Sequence, residues 1–238
     1  MALGERPIGD QFQKRTKYRR SRGERPAIDV EPVQGTVELP EPSREGGEPL
    51  WSVVQARRSV RRFAETPLTL GQLSQLLWAT QGISSRDRGF AFRTSPSAGA
   101  CYPLNTYVVV HRVEGLEPGL YAHDVEAAAL LKRLEGDLAE PIAAACLDQS
   151  MAATAAVVFV WTAVPLRSKQ RYHERAYRYI YLDAGHVGQN LHLAAQGMGL
   201  GCCAIGALLD DEVNAIVGAD GTNETVVYIS VVGVPAGL

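Results

Sequence analysis

The 238-residue sequence has only four cysteines, Cys101, Cys146, Cys202 and Cys203, and none stands in a CxxC pair. Neither a disulfide framework nor a zinc ribbon is indicated. Cys202 and Cys203 are adjacent, poorly placed to bridge each other, and read as small buried thiols in a strand. The five histidines, His111, His123, His173, His186 and His192, form no HExxH and no i,i+4 pair, which argues against a zinc site. There is no GxSxG elbow and no GxxxxGK[ST] loop, so hydrolase and P-loop chemistry have no support. GMGLGCCAIG at 197–206 lacks GxGxxG spacing, and it follows a helical pattern where a dinucleotide fingerprint follows a strand. Long apolar runs are also missing. The longest covers 151–164 and stops at Pro165, short of the roughly 20 residues a bilayer requires. Arg6 and Asp10 interrupt any apolar leader, so the expectation is a soluble, cytoplasmic protein. Finally, no acid lies between Gln55 and Ala64, where four arginines do.

What is present suits one domain with an extra arm. Hydrophobic residues make up 46% and the net charge is -2, which excludes a polyanion binder as a whole. Residues 1–26 nevertheless carry +5, leaving -7 for the remainder. Such an arm can touch nucleic acid or an acidic partner. The plainer reading is a solvated, partly disordered extension, and no basic–aromatic interleaving of a single-strand binder follows it. Residues 26–49 are rich in Pro, Glu and Gly and read as an extended connector, so 1–49 is set apart from a domain at 50–238.

Within that domain a short helix is expected at 50–58 and a second at 70–80, capped by Thr69, with Leu73, Leu76 and Leu77 on one face. Residues 82–103 read as loop. Strands are expected at 106–113, at 119–121 and 129–134, at 155–164, at 201–205 and at 225–234. The 155–164 run is apolar on both faces and belongs in the centre of a covered sheet. Helices are expected at 137–147, 175–196 and 210–217, the last closed by Gly218. Helices interspersed with a hairpin-containing sheet indicate an α+β fold.

The segment QARRSVRRF at 55–63 carries the clearest functional signal. If 57–61 is extended, Arg57, Ser59 and Arg61 project to one side. Two guanidinium forks and a hydroxyl suit a phosphate monoester, and a segment leaving a helix can add backbone N–H donors. The competing reading is a solvated, charged rim.

RRSVRRF, followed by PLTLGQLSQLLWATQGI at 67–83, resembles the opening of FMN-dependent nitroreductase-fold enzymes, and more narrowly the SagB-type dehydrogenases. SPSAGACYPLNTYVVV (95–110), RAYRYIYLDAGHVGQNLHLAAQGMGLG (175–201) and VVGVP (231–235) are similar in the same order. GDQFQKRTKYRR (9–20) resembles the family's leading segment. The resemblance implies a nitroreductase-like α+β fold, a mixed central sheet packed by helices, in an intertwined homodimer with one FMN at each of two interface sites. It implies that Arg57, Ser59 and Arg61 hold the FMN phosphate, with Arg58 along the same segment. Ser95, Pro96 and Ser97 would line the flavin from the partner subunit. Ala204, Ile205 and Gly206 would bring backbone near the isoalloxazine. Residues 234–238 lack the basic side chains that nitroreductases often add to the phosphate site, which leaves Arg57 and Arg61 with more of that task.

The helix at 175–196 also carries His186, Gln189, Asn190 and His192. Buried polar groups there need partners, either one another or a dimer seam, and Gln189 could reach the cofactor. The implied chemistry is hydride transfer through flavin N5 in a ping-pong reaction, with NADH, NADPH or the substrate as donor. SagB-type relatives include oxidases that aromatise azolines on modified peptides beside a cyclodehydratase partner, and these carry a Lys-Tyr pair before the RxYRY stretch. Here the pair is Arg171-Tyr172. Arg cannot act as a base, while Tyr172 remains a candidate to orient substrate or move a proton. A flavin-fragmenting or iodotyrosine-type branch, and a non-catalytic protein that docks a partner through its basic arm, are the remaining alternatives.

Overall fold

In the computed structural model every residue of the strand at 157–163 is buried, and residues 7–21, 23–28 and 30–237 are described. Glu5, Arg6, Arg22 and Leu238 fall outside them. In chain order the elements are α1 (Ile8–Arg15), β1 (Glu31–Glu38), α2 (Leu50–Ala56), α3 (Leu70–Gln81), β2 (Ile83–Asp87), β3 (Phe90–Arg93), β4 (Leu104–Val110), β5 (Gly119–Asp124) and β6 (Ala129–Glu135). There follow α4 (Ala139–Ala145), α5 (Met151–Thr154), β7 (Val157–Ala163), α6 (Pro165–Tyr172), α7 (Ala176–Gly197), β8 (Gly201–Ile205), α8 (Asp210–Val217) and β9 (Thr225–Gly233).

Seven strands form one sheet in the order β1-β6-β5-β4-β7-β9-β8, and all six ladders are antiparallel. Its parallel component is confined to isolated bridges, Ser59 with Cys202 and Leu68 with Val113. β7 shows why the sheet is covered on both sides. Val157, Phe159 and Trp161 point into one core with Leu73, Leu76 and Leu77 of α3 and Ile180, Val187 and Leu191 of α7. Val158 and Val160 point into the other, with Ile142 of α4, Met151 of α5 and Val213 and Ile216 of α8. This is the period-two alternation of a strand between two helical layers. Thr69 starts α3 through a capping box with Gln72, and Gly218 ends α8 in the left-handed conformation.

The expected elements from residue 104 onward are present within a few residues, and the α+β architecture is as expected. Three expectations at the front of the chain are corrected. Residues 31–38 are no free connector: they pair with β6 as the sheet's edge strand, Pro32 sitting beside a register shift that tolerates its missing N–H. Residues 83–93 are no loop but a hairpin, turned at Arg88 (φ 46) and Gly89 (φ 85), two positive-φ residues that match the twist of paired strands. The arm around 8–20 is docked. Asp10 takes bonds from Lys169 and from the Tyr177 hydroxyl, and Glu174 accepts from the Gly9 N–H at 2.9 Å. Lys17 reaches Asp211 and Arg20 reaches Glu212, each at 2.6 Å. α6 had no expected counterpart.

Candidate functional site

The helix expected at 50–58 stops at Ala56, and Arg57 leaves it with extended backbone (φ -52, ψ 127). The chain then lies along the edge of β8. Val60 N–H donates to Cys202 O at 2.9 Å, Ala64 N–H to Val234 O at 2.9 Å, and Ala236 N–H to Arg62 O at 3.0 Å. Val60 and Phe63 turn inward, where they press on Gly201 and Gly233. A Cβ on Gly201 would lie 2.7 Å from Val60 Cγ1, so only glycine allows this approach. With these two anchored, Arg58, Ser59, Arg61 and Arg62 are exposed and Arg57 is half-buried.

Arg58 folds back and donates to Gln55 O (2.9 Å) and Arg57 O (2.8 Å), which satisfies carbonyls at the end of α2. Arg61 Nη1 donates to Ser59 O at 3.5 Å, its one hydrogen bond among the described residues. Among the described residues none of the four arginines forms an ion pair. The Arg57 charge acts instead on His192, whose pKa burial already lowers and Arg57 lowers further. At neutral pH this favours the uncharged ring, and its Nδ1 is buried without a hydrogen-bond partner among the described residues.

β8 carries the chain from this segment to its other end, where Ala204 is half-buried, Ile205 buried and Gly206 exposed. A Cβ on Gly206 would meet nothing within 4 Å. That open space beside bare backbone is where a flat ring could approach. The arginines and Gly206 thus sit at opposite ends of one short strand.

The 95–97 segment is held by α7. Asn190 Nδ2 donates to Ser95 Oγ (2.9 Å) and Ala79 O (3.0 Å), and Ser95 Oγ donates to Thr80 O at 2.5 Å. Ser97 Oγ donates to Asp183 Oδ2 at 2.6 Å and accepts from the Tyr102 N–H at 3.0 Å. Burial pushes the Asp183 carboxyl up, while the Ser97 hydroxyl and Ala98 N–H favour its charged form. Pro96 stays exposed. Asp183 was absent from the sequence reading. Its signal was an acid on the otherwise buried face of the longest helix. Asn190 does find partners, but on α3 and the 94–95 segment and not among its helix neighbours. Gln189 is exposed on α7.

Arg171 and Tyr172 close the same region from α6. The Tyr172 hydroxyl would lie 2.4 Å from a Cβ on Gly99, and Arg171 Nη1 donates to Gly99 O at 3.4 Å. Tyr172 also packs edge-on to Tyr179, centroids 4.7 Å apart. The structure therefore brings Tyr172 against the turn that follows Ser97. Within one chain the arginine segment and the 95–97 segment attach to α7 at different places, one facing His192 and the other bonded to Asp183 and Asn190.

A model of the Nitroreductase family matches residues 54–234. A Methanocaldococcus jannaschii protein named as a candidate nitroreductase is 39% identical over 168 residues, covering 71% of this chain and 83% of its own length. A trifolitoxin-processing protein of Rhizobium leguminosarum bv. trifolii is 34% identical over 116 residues, 44% of this chain and 30% of that one. A crystal structure from Anabaena variabilis, described as a candidate nitroreductase, superposes with a TM-score of 0.74 at 30% identity. It covers 85% of this chain, which spans only 42% of that longer chain. With the family match running through the arginine segment, β8 and β9, the chain belongs to the nitroreductase family of oxidoreductases.

Proposed function

We propose that this chain is an FMN-dependent oxidoreductase of the SagB type, working as a cytoplasmic homodimer in a ping-pong reaction with NADH or NADPH as donor. The observation that carries this reading is the arginine segment: four permanent cations on an extended segment along β8, three exposed and Arg57 half-buried, none ion-paired to a carboxylate of the described residues. A phosphate monoester fits them in charge and geometry. Arg57 and Arg61 would bind the FMN phosphate and Ser59 would add a hydroxyl donor. Arg58 would steady the segment by closing α2. Gly206 leaves room for the ring at the far end of β8, with Ala204 and Ile205 supplying backbone. Ser95, Pro96 and Ser97 are pre-set by Asn190 and Asp183 to line the flavin of a partner subunit, as an interface site requires, and Gln189 faces the same side of α7 as solvent. The bound flavin would supply hydride acceptance and return at N5. The protein positions it, and Tyr172, next to Gly99, orients the substrate.

A second reading is favoured by the similarity to the trifolitoxin-processing protein: azoline oxidation on a modified peptide, beside a cyclodehydratase partner. Tyr172 stands at the matching place, but an arginine cannot serve as the base, and Arg171 donates to Gly99 O instead.

The test is an absorption spectrum of the purified protein, with the heat-released chromophore identified by chromatography. FMN at about one per chain is expected, reduced by NADH or NADPH without oxygen. Arg57→Ala should weaken FMN binding by about tenfold or more, the scale of one charged hydrogen-bond contact. A parent that stays colourless with added FMN, or an Arg57→Ala variant that binds as the parent does, would defeat the proposal. Loss of two hydrogens from an azoline peptide would select the second reading.

A further inference from the structure

A second group of arginines stands apart from the 57–62 segment. A cavity of about 560 Å³ opens where β4, β5 and β6 meet residues 101–102 and α6. Three guanidinium groups line it, from Arg93 on β3, Arg133 on β6 and Arg167 on α6, with Tyr102 and Tyr107 beside them. None of the residues assigned above to flavin binding lines it.

No carboxylate among the described residues pairs directly with these three charges, although Glu126 at the rim attracts Arg93 from a distance. Arg93 donates to Gln81 Oε1 at 2.7 Å and stacks 4.6 Å over the Tyr102 ring. Arg167 donates to Asn105 Oδ1 at 2.8 Å. The two acids at the rim have hydrogen-bond partners of their own. Asp124 Oδ1 accepts from the Glu126 and Ala127 N–H groups, each at 3.0 Å, and Glu126 pairs with Arg86 at 2.6 Å. The Tyr107 hydroxyl is committed to Glu224 Oε1 at 3.1 Å. His123 at the rim adds no charge at neutral pH, because burial, aided by Arg93, pushes it down to about 4.

The charges also feel one another. Arg167 acts on Arg93, and Arg133 and Arg167 both act on Tyr107. Glu126 offsets part of this at Arg93, but three like charges converging on a concave surface with no directly paired counter-ion are costly, and an anion relieves that cost. Guanidinium forks match oxyanions, and three of them suit a doubly charged group better than a single carboxylate. The volume is that of a small-molecule site.

We propose that this cavity binds the phosphoryl group of a small phosphorylated ligand, with Arg93, Arg133 and Arg167 as its cationic contacts. Inorganic pyrophosphate is the probe, titrated calorimetrically into the full chain. A saturable site is expected that persists in Arg57→Ala and weakens by about tenfold in Arg133→Gln and in Arg167→Gln. Both residues are exposed, so the variants should fold, which circular dichroism checks. Failure to saturate by about 10 mM, a very weak affinity for a built site, would overturn the proposal. So would parental affinity in both variants, or succinate binding as tightly as pyrophosphate, which would make the site a carboxylate site.

Discussion

Substituting Gly201 by alanine tests how the arginine segment is held. Gly201 opens β8, and its backbone needs no positive φ, so alanine is tolerated conformationally. The difficulty is contact. The new Cβ would lie 2.7 Å from Val60 Cγ1, 2.8 Å from Val60 Cβ and 3.2 Å from Phe63 Cε1. Carbon atoms rest at about 3.5–4.0 Å. Rotating Val60 removes the first overlap and not the second, because Cβ moves only with the backbone. Residues 59–61 must therefore retreat by about 1 Å, the shortfall from that resting distance. This lengthens the 2.9 Å bond from Val60 N–H to Cys202 O.

Overpacking of this kind costs about 1–3 kcal/mol. In a chain of this size that lowers Tm by about 2–12 °C. Arg57 and Arg61 flank Val60, so the displacement also moves the proposed phosphate contacts, and FMN affinity should fall about 10-fold or more. Differential scanning calorimetry and fluorescence titration with FMN read the two effects. Gly206→Ala is the contrast: it has open space, so Tm should hold while flavin binding weakens. If Gly201→Ala leaves both Tm and FMN affinity at parental values, Val60 does not clamp the segment to β8, and the account of the site fails.

Two further outcomes follow from charge. His111, His123 and His192 all have pKa values lowered mainly by burial, His123 to about 4. Above pH 6.5 both folded and unfolded chains hold them neutral. As pH falls from there the unfolded chain takes up protons first, so stability is lost down to about pH 4, with His123 responsible for about 3 kcal/mol at most; His123→Gln should lose less between pH 7.5 and 4.5 in urea unfolding, and an equal loss refutes the assignment. The arm is held by polar contacts, notably Arg20 to Glu212 and Lys17 to Asp211. Glu212→Gln should speed tryptic cleavage within 14–25 severalfold, more so at raised salt, whereas an unchanged rate would mean the arm is held by other contacts.

Legibility followed the source of each element's stability. β7 and β9 bury side chains on the sheet's two faces, and their apolar runs announce it. Leu73, Leu76 and Leu77 announce α3 by spacing, and Gly218 announces the end of α8. β1 has no such signal. Six of its eight residues are exposed and its place is set by main-chain bonds to β6, which any composition can make. The β2–β3 hairpin hides for a related reason, since Arg88 occupies a turn position that Asn or Asp would have marked. The docked arm is invisible because its partners, Asp211, Glu212, Lys169 and Tyr177, lie some 150 or more residues away.

The arginine segment shows the same boundary inside the site. Its alternation could be read: Val60 turns in, Ser59 and Arg61 turn out. What the pattern could not supply was the surface that receives Val60 and Phe63. That surface is a pair of glycines, Gly201 and Gly233, from strands far along the chain. Of the glycines at 197–206, Gly201 is the one on which another segment packs within clash distance of a Cβ. Once Val60 and Phe63 are seated, the charges have no route inward, and no acid of the described residues reaches them. The cluster is thus held outward by its own apolar anchors. An isolated charged rim would need no such clamp, and that difference favours a phosphate site over a merely solvated edge.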